Sequence, residues 1–164
     1  MSATPLAAAL VALCCTATAP AAAQHVKNAP ATGTYVAVLE GGYAVPPVET
    51  QAGGTAELTW NGKELRYRLN VHDLKEVTGA FVHIGPAGQE APAVADLFDG
   101  YNAGPVSGVL GQGTLSKTHV HGTTMARLIR ALQMDNAYVT VHTASHPDGE
   151  LRGQLRRQPT VAHR

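Results

Sequence analysis

Short runs of alternating or β-branched residues, separated by glycines, make up most of the chain between residues 34 and 157. Runs of this kind are typical of antiparallel strands joined by tight turns. The clearest hairpin has Asn61-Gly62 between two such runs, because this dipeptide supplies the positive-φ residues of a type I′ turn. The pattern therefore predicts one all-β domain with eight strands: Thr34–Glu40, Thr55–Trp60, Leu65–Val71, Gly79–Ile84, Ala93–Phe98, Gly108–Leu115, Ala137–Thr143 and Glu150–Arg157.

One segment departs from the β pattern. In "TTMARLIRALQM" the apolar residues Met125, Leu128, Ile129 and Leu132 recur at helical spacing, and a threonine precedes them as an N-cap. We expect a short helix near residues 124–134, about three turns long, that closes one end of a β-sandwich.

The first 23 residues have the composition of a secretory signal. Met1 to Ala12 carries no charged side chain, and the small-residue stretch that follows ends in Ala21-x-Ala23. Cleavage after Ala23 predicts a secreted or periplasmic protein with no transmembrane anchor in its mature form. Residues 24–33 are then a linker, residues 34–157 the β domain and residues 158–164 a flexible tail.

Charge and cysteine content exclude several classes of function. Twelve basic and twelve acidic residues are interspersed, so no basic face is expected to attract nucleic acid. Both cysteines, Cys14 and Cys15, lie within the predicted signal. The mature domain would therefore have no disulfide and no cysteine nucleophile.

Three motifs are shared with a known family. "GGYAVPPVETQAGG" (41–54), "GAFVHIGPAG" (79–88) and "AYVTVHTASHPDGELRGQL" (137–155) follow one another in the order and spacing of the CHRD domain, a family named after chordin. The chain resembles this family over nearly all of its predicted mature part. The resemblance implies an immunoglobulin-like antiparallel β-sandwich or barrel, and it implies no established enzyme activity. Two positions depart from the family: Ala44 stands where a glutamate is common, and Phe81 where the family often has the first histidine of a His-x-His.

The last motif predicts a β-hairpin. Pro147 suits the second position of a turn and Gly149 a left-handed position after it, so a three-residue loop would set His146 opposite Glu150 and His142 opposite Gln154. The polar face of this hairpin carries His142, Glu150, Arg152 and Gln154. These side chains form either a polar network that ties the hairpin to its neighbours or a binding face, and the sequence leaves both interpretations open.

Histidines suggest a metal site as a second hypothesis. His119 and His121 would face the same way in an extended segment and could ligate Cu²⁺ or Zn²⁺. A third ligand would have to come from His83, His142 or His146. The alternative is that His119 and His121 are a surface pair and that His83 is a hydrogen-bonded structural residue.

The sequence contains no convincing catalytic constellation. A Ser116, His119 and Asp135 triad can be written down, but the chain has neither a nucleophile elbow nor an oxyanion motif beside it. The leading hypothesis is an exported, non-enzymatic module that binds an extracellular or envelope protein or glycan. The alternative is an exported copper- or zinc-binding protein.

Overall fold

A computed structural model describes residues 31–159. The predicted signal at Met1–Ala23, most of the predicted linker and the last five residues of the predicted tail lie outside this range. The described chain contains seven strands, one 3-10 turn at Gly41–Tyr43 and one helix, α1 (Met125–Gln133). The strands are β1 (Gly33–Glu40), β2 (Gly53–Trp60), β3 (Leu65–Ile84), β4 (Ala93–Leu115), β5 (Ala137–Thr143), β6 (Leu151–Gln154) and β7 (Arg156–Arg157).

The strands form a closed antiparallel barrel. Their order is β2-β1-β6-β5-β3, and β3 pairs with β2 to complete the circle, while β4 continues the sheet outside β3 and β7 pairs with β1. The length of β3 makes closure possible, because its first half pairs with β2 and its second half pairs with β5. The all-β prediction and the barrel are thus confirmed, and the immunoglobulin-like sandwich is not.

Four of the predicted strands form only two strands in the structure, so the breaks predicted between them are wrong. Leu65–Val71 and Gly79–Ile84 are the two ends of β3, which passes through irregular pairing where Asp73 and Glu76 adopt φ of 57° and 51°. Likewise, Ala93–Phe98 and Gly108–Leu115 belong to the single strand β4. Pro105 is tolerated within it because β3 is the only named strand that pairs with β4, so the missing N–H lies on an edge strand.

Alternating side chains of the barrel strands and one face of α1 form the core. The helix prediction is confirmed: the Thr124 side chain accepts a hydrogen bond from the Arg127 N–H at its N-terminus, and Leu128, Ile129 and Leu132 are buried. None of the helices in residues 31–159 is long and apolar enough to cross a membrane. The largest fully buried side chains are Tyr35, Tyr138, Leu39, Leu58, Leu65, Leu69, Leu74, Leu128, Ile129, Leu132, Leu151 and Leu155.

The register predicted for the β5–β6 hairpin is wrong by four residues. The turn itself is present, since the Gly149 N–H donates to the His146 carbonyl and Gly149 has φ of 118°. A second turn precedes it, however, because His146 and Thr143 exchange backbone hydrogen bonds. The loop is therefore longer than three residues, and Thr140 pairs with Arg152 rather than with Arg156.

Candidate functional site

The described part of the chain has a cavity of about 430 Å³ beside β3 and β5, which we call the histidine cavity. His83 reaches it from β3, and Thr140 and His142 reach it from β5. Successive side chains of a strand alternate between faces, so Thr140 and His142 share a face. The other lining residues are Ala44, Val45, Glu90, Ala91, Pro92, Tyr138, Pro147, Asp148, Gly149, Leu151 and Arg152.

A continuous chain of hydrogen bonds runs through this cavity. His83 Nδ1 lies 2.7 Å from the Ala91 carbonyl oxygen, and its Nε2 lies 2.8 Å from Thr140 Oγ1. The same Oγ1 is 2.9 Å from His142 Nε2, and His142 Nδ1 is 2.8 Å from the Pro147 carbonyl oxygen. A carbonyl can only accept, so each Nδ1 carries a proton and each neutral imidazole presents a bare Nε2.

Both imidazoles are held in the neutral form. Burial lowers the pKa of His83 below the ordinary 6.5 against the opposing bond to Ala91, and the positive charge that His142 would gain on protonation and the charge of Arg152 lower it further. Burial also lowers the pKa of His142, and the Pro147 carbonyl and the Asp148 carboxylate oppose that shift. At neutral pH each ring therefore donates through Nδ1 and can only accept through Nε2.

A stack of three side chains fixes one wall of the cavity. The His83 and Tyr138 rings are parallel within 2°, with centroids 4.6 Å apart, and the Arg152 guanidinium carbon lies 3.6 Å from the Tyr138 centroid. Arg152 Nη2 also donates to the carbonyls of Pro86 and Gln89, at 3.3 and 2.7 Å. The stack thus connects β6 to the loop that follows β3.

The other residues of the predicted polar face bind separate neighbours. Glu150 accepts hydrogen bonds from the hydroxyls of Thr50 (2.8 Å) and Thr143 (2.7 Å). Gln154 Nε2 donates to the carbonyls of Gly85 and Asp135, at 3.2 and 2.8 Å. Of the predicted set, His142 and Arg152 line the histidine cavity, whereas Glu150 and Gln154 fasten the hairpin to surrounding loops.

The four histidines predicted as metal ligands are not assembled into one site. His119 Nδ1 lies 2.8 Å from Ser116 Oγ, and His121 Nδ1 lies 3.6 Å from Asp96 Oδ2, while His83 and His142 meet across Thr140. Within residues 31–159 no group of three His, Cys, Asp or Glu side chains could hold a metal ion. Copper or zinc binding stays a prediction without an assembled site.

The three residues of the hypothetical catalytic triad, Ser116, His119 and Asp135, are not assembled either. Ser116 and His119 are in contact, but Asp135 accepts from the Arg157 N–H and lies 3.6 Å from Arg156 Nη1. Its carboxylate is therefore engaged at a different place in the barrel.

One departure from the family pattern lines the histidine cavity, and the other contacts a residue that lines it. Ala44 lines it, and the Phe81 ring meets the edge of the His142 ring with centroids 5.1 Å apart. An apolar side chain therefore stands at each position where an acid or an imidazole was expected.

A larger cleft of about 740 Å³ adjoins the histidine cavity and shares Ala44, Val45 and Arg152 with it. We call it the outer cleft. Its exposed apolar side chains include Val38 and Tyr43, at 54% and 56% exposure, and the charged side chains lining it are Arg152 and Arg156. The full lining is Val36, Val38, Gly42, Tyr43, Ala44, Val45, Pro47, Ala87, Gly88, Arg152, Gln154, Arg156 and Gln158.

Sequence reasoning missed Thr140 and the outer cleft. Thr140 shares the strand face of His142 at a spacing of two, which was the available signal. Tyr43 had no periodic signal, because it lies in a 3-10 turn rather than in a regular strand or helix. A Cβ at Gly41 would collide with the Val48 carbonyl oxygen and Thr50, so only glycine lets this turn pack there.

Comparison with known proteins identifies the family. The model of the CHRD domain matches residues 35–155, which include every residue that lines the histidine cavity and, except for Arg156 and Gln158, those that line the outer cleft. No match was found among curated proteins or solved structures. The family match extends over most of the chain, and the protein belongs to the CHRD domain family.

Proposed function

We propose that this protein is an exported, non-enzymatic binding module whose ligand is a segment of an extracellular or envelope protein. The segment binds in the outer cleft. It carries an apolar or aromatic side chain and, beside it, a carboxylate. The observation that carries this proposal is the combination of exposed apolar surface and arginines in one cleft.

Three properties of the outer cleft support a polypeptide ligand. Tyr43 and Val38 are exposed side chains of a kind that is costly to leave in water and favourable to bury at an interface. Arg152 and Arg156 line the cleft, and no acidic residue does, so the local charge favours an acidic partner. Tyrosine and arginine are also the residues that most often dominate binding energy at protein interfaces.

The proposal of export is supported by the composition of residues 1–23. Fusion of these residues to a reporter, followed by fractionation and N-terminal sequencing of the product, tests this part. Processing after Ala23 and delivery outside the cytoplasm are expected. An unprocessed cytoplasmic reporter would contradict export without bearing on the cleft.

A displayed library of random peptides, selected on the purified domain, tests the binding function. Selected sequences should be enriched in an aromatic or large aliphatic residue next to Asp or Glu. Tyr43→Ser and Arg156→Gln should each weaken binding of a selected peptide by about tenfold, the usual scale of an interface anchor.

Matched controls come from exposed positions outside the outer cleft. Tyr101 is 62% exposed and Arg68 is exposed, and neither lines the outer cleft, so Tyr101→Ser and Arg68→Gln should leave binding unchanged. Selection of a glycan on an array, with no peptide enriched, would contradict a polypeptide ligand. Equal effects of the cleft and control variants would place the binding surface elsewhere.

A further inference from the structure

The hydrogen-bond chain of the histidine cavity is one donor short. Both Nδ1 atoms donate to carbonyls, so His83 Nε2 and His142 Nε2 can only accept from Thr140 Oγ1. A hydroxyl has one proton and can satisfy one of the two. The other imidazole is left as an unpaired acceptor, and His83 is only 7% exposed. Such a group is costly unless a donor reaches it.

Solvent protons do not readily supply the missing donor near neutral pH. Burial lowers the pKa of both imidazoles, and Arg152 adds a further unfavourable charge for His83. The charged groups that line the cavity are Arg152 on β6, Glu90 in the loop before β4 and Asp148 in the hairpin turn. Since the rings remain neutral, the donor has to come from a molecule that enters the cavity, either a water or a ligand.

The rest of the cavity favours a cationic donor on an aliphatic stem. Glu90 and Asp148 contribute two carboxylates against one guanidinium, and that guanidinium is already bonded to Pro86 and Gln89 and packed on Tyr138. Side chains that can contact methylene groups line the remaining walls: Ala44, Val45, Ala91, Pro92, Pro147 and Leu151. A primary ammonium has three N–H donors, as many as these acceptors require.

We propose that the histidine cavity binds a primary alkylammonium group, which donates a hydrogen bond to the free imidazole Nε2 and is balanced by Glu90 and Asp148. The group is either a lysyl side chain of a partner chain or a free amine, since the chemistry of both is the same. This inference concerns the histidine cavity and does not rest on the ligand proposed for the outer cleft.

Titration of the full chain with n-butylammonium, followed by calorimetry and by NMR of the histidine side chains at pH 7.5, tests the proposal. An alkylamine is fully protonated at this pH. Butyltrimethylammonium has the same charge and no N–H donor, and 1-butanol has the same stem and no charge. We expect n-butylammonium to bind at least about tenfold more tightly than either, the scale of a charge-assisted hydrogen bond.

Variants of the cavity separate binding from folding. Asp148 is exposed in a turn, where asparagine is equally suitable, so Asp148→Asn should fold normally. It should weaken butylammonium binding about threefold to tenfold. Asp99→Asn, at an exposed position outside both cavities, is the matched control. His142→Leu removes one acceptor and should weaken binding about tenfold, whereas His142→Gln keeps an acceptor and should recover part of the loss.

A second pair of probes distinguishes the two sources of the ammonium group. The two probes are a peptide with one lysine and the same peptide with that lysine acetylated. Binding of the first and not of the second supports a lysyl side chain of a partner chain as the source. Binding of butylammonium without binding of the peptide supports a small amine. Binding of butylammonium no tighter than that of butyltrimethylammonium would overturn the proposal. So would binding unchanged in both Asp148→Asn and His142→Leu, or an NMR spectrum of the free protein with one imidazole already protonated at pH 7.5.

Discussion

His83 and His142 direct their Nε2 atoms at the same oxygen, Thr140 Oγ1, from 2.8 and 2.9 Å. They come from different strands, and the antiparallel pairing of β3 with β5 brings them together. The threonine between them carries the only hydrogen that either Nε2 can receive within this chain of hydrogen bonds. The orientation of the Thr140 hydroxyl therefore decides which of the two imidazoles accepts a hydrogen bond at Nε2.

Replacement of Thr140 by valine should destabilise the domain by about 1–3 kcal/mol. Valine has nearly the same shape, but it leaves both Nε2 atoms without the Thr140 donor, and His83 is buried. Thr140→Ser keeps the hydroxyl and is the control. Urea unfolding of the three proteins measures the difference, and equal stability of the valine and serine variants would contradict the hydrogen-bond chain.

Stability should fall as the pH drops below 6.5. The folded state lowers the pKa of His83 and His142 below the ordinary 6.5, so in acid the unfolded chain binds protons that the folded chain does not. Their contribution is fully present above pH 6.5 and is lost as the pH falls through the folded pKa values. The slope for each histidine is at most about 1.4 kcal/mol per pH unit.

The free energy of unfolding at pH 6.5 and 5.5, measured for the wild type and for His142→Gln, isolates this effect from that of the carboxylates. The wild type should lose more stability than the variant over this interval. A variant with the same pH slope as the wild type would show that the pKa of His142 is not lowered by folding.

Glu150→Ala should cost about 1.5–3 kcal/mol, because the carboxylate accepts two charge-assisted hydrogen bonds from hydroxyls that would lose their partner. Thr143 is buried, so its hydroxyl has no ready replacement in water. Glu49→Ala removes a carboxylate at an exposed position and should change stability little. Thermal unfolding compares the two, and equal losses would contradict the role assigned to Glu150.

Arg152→Lys should loosen the loop between β3 and β4. Lysine cannot reproduce the planar stack on Tyr138, and its single ammonium has to replace guanidinium bonds to Pro86 and Gln89. Amide hydrogen exchange should accelerate at residues 86–91 and stay unchanged in Arg66→Lys, whose side chain is 67% exposed. Unchanged protection of that loop would show that Arg152 does not hold it.

The elements that depend on local sequence were predictable. Periodicity alone identified the helix that begins after Thr124, and Asn61-Gly62 marked the β2–β3 turn, because propensity and spacing act within a few residues. It was not predictable that pairs of predicted strands would be continuous in β3 and in β4. Asp73 is a common turn residue, yet pairing with distant strands carries β3 through it and through Glu76 in left-handed conformations.

Some residues of the site were predictable from the sequence, whereas Thr140 and the connections between them were not. His83, His142 and Arg152 were all selected as candidates from the sequence. Their partners depend on the hairpin register, and a second turn at Thr143 and His146 shifted that register by four residues. Tyr43 reaches the outer cleft through packing of Gly41 against residues 48–50, which no local pattern reports.

The most direct test of the proposed function is an NMR map of the domain bound to a peptide selected from the library. We predict that the largest amide shifts surround the outer cleft, at Tyr43, Val45, Gln154 and Arg156, and that Arg156→Gln reduces them at the same subsaturating peptide concentration. Shifts confined to residues 116–121, or to any face that leaves these four amides unmoved, would contradict it.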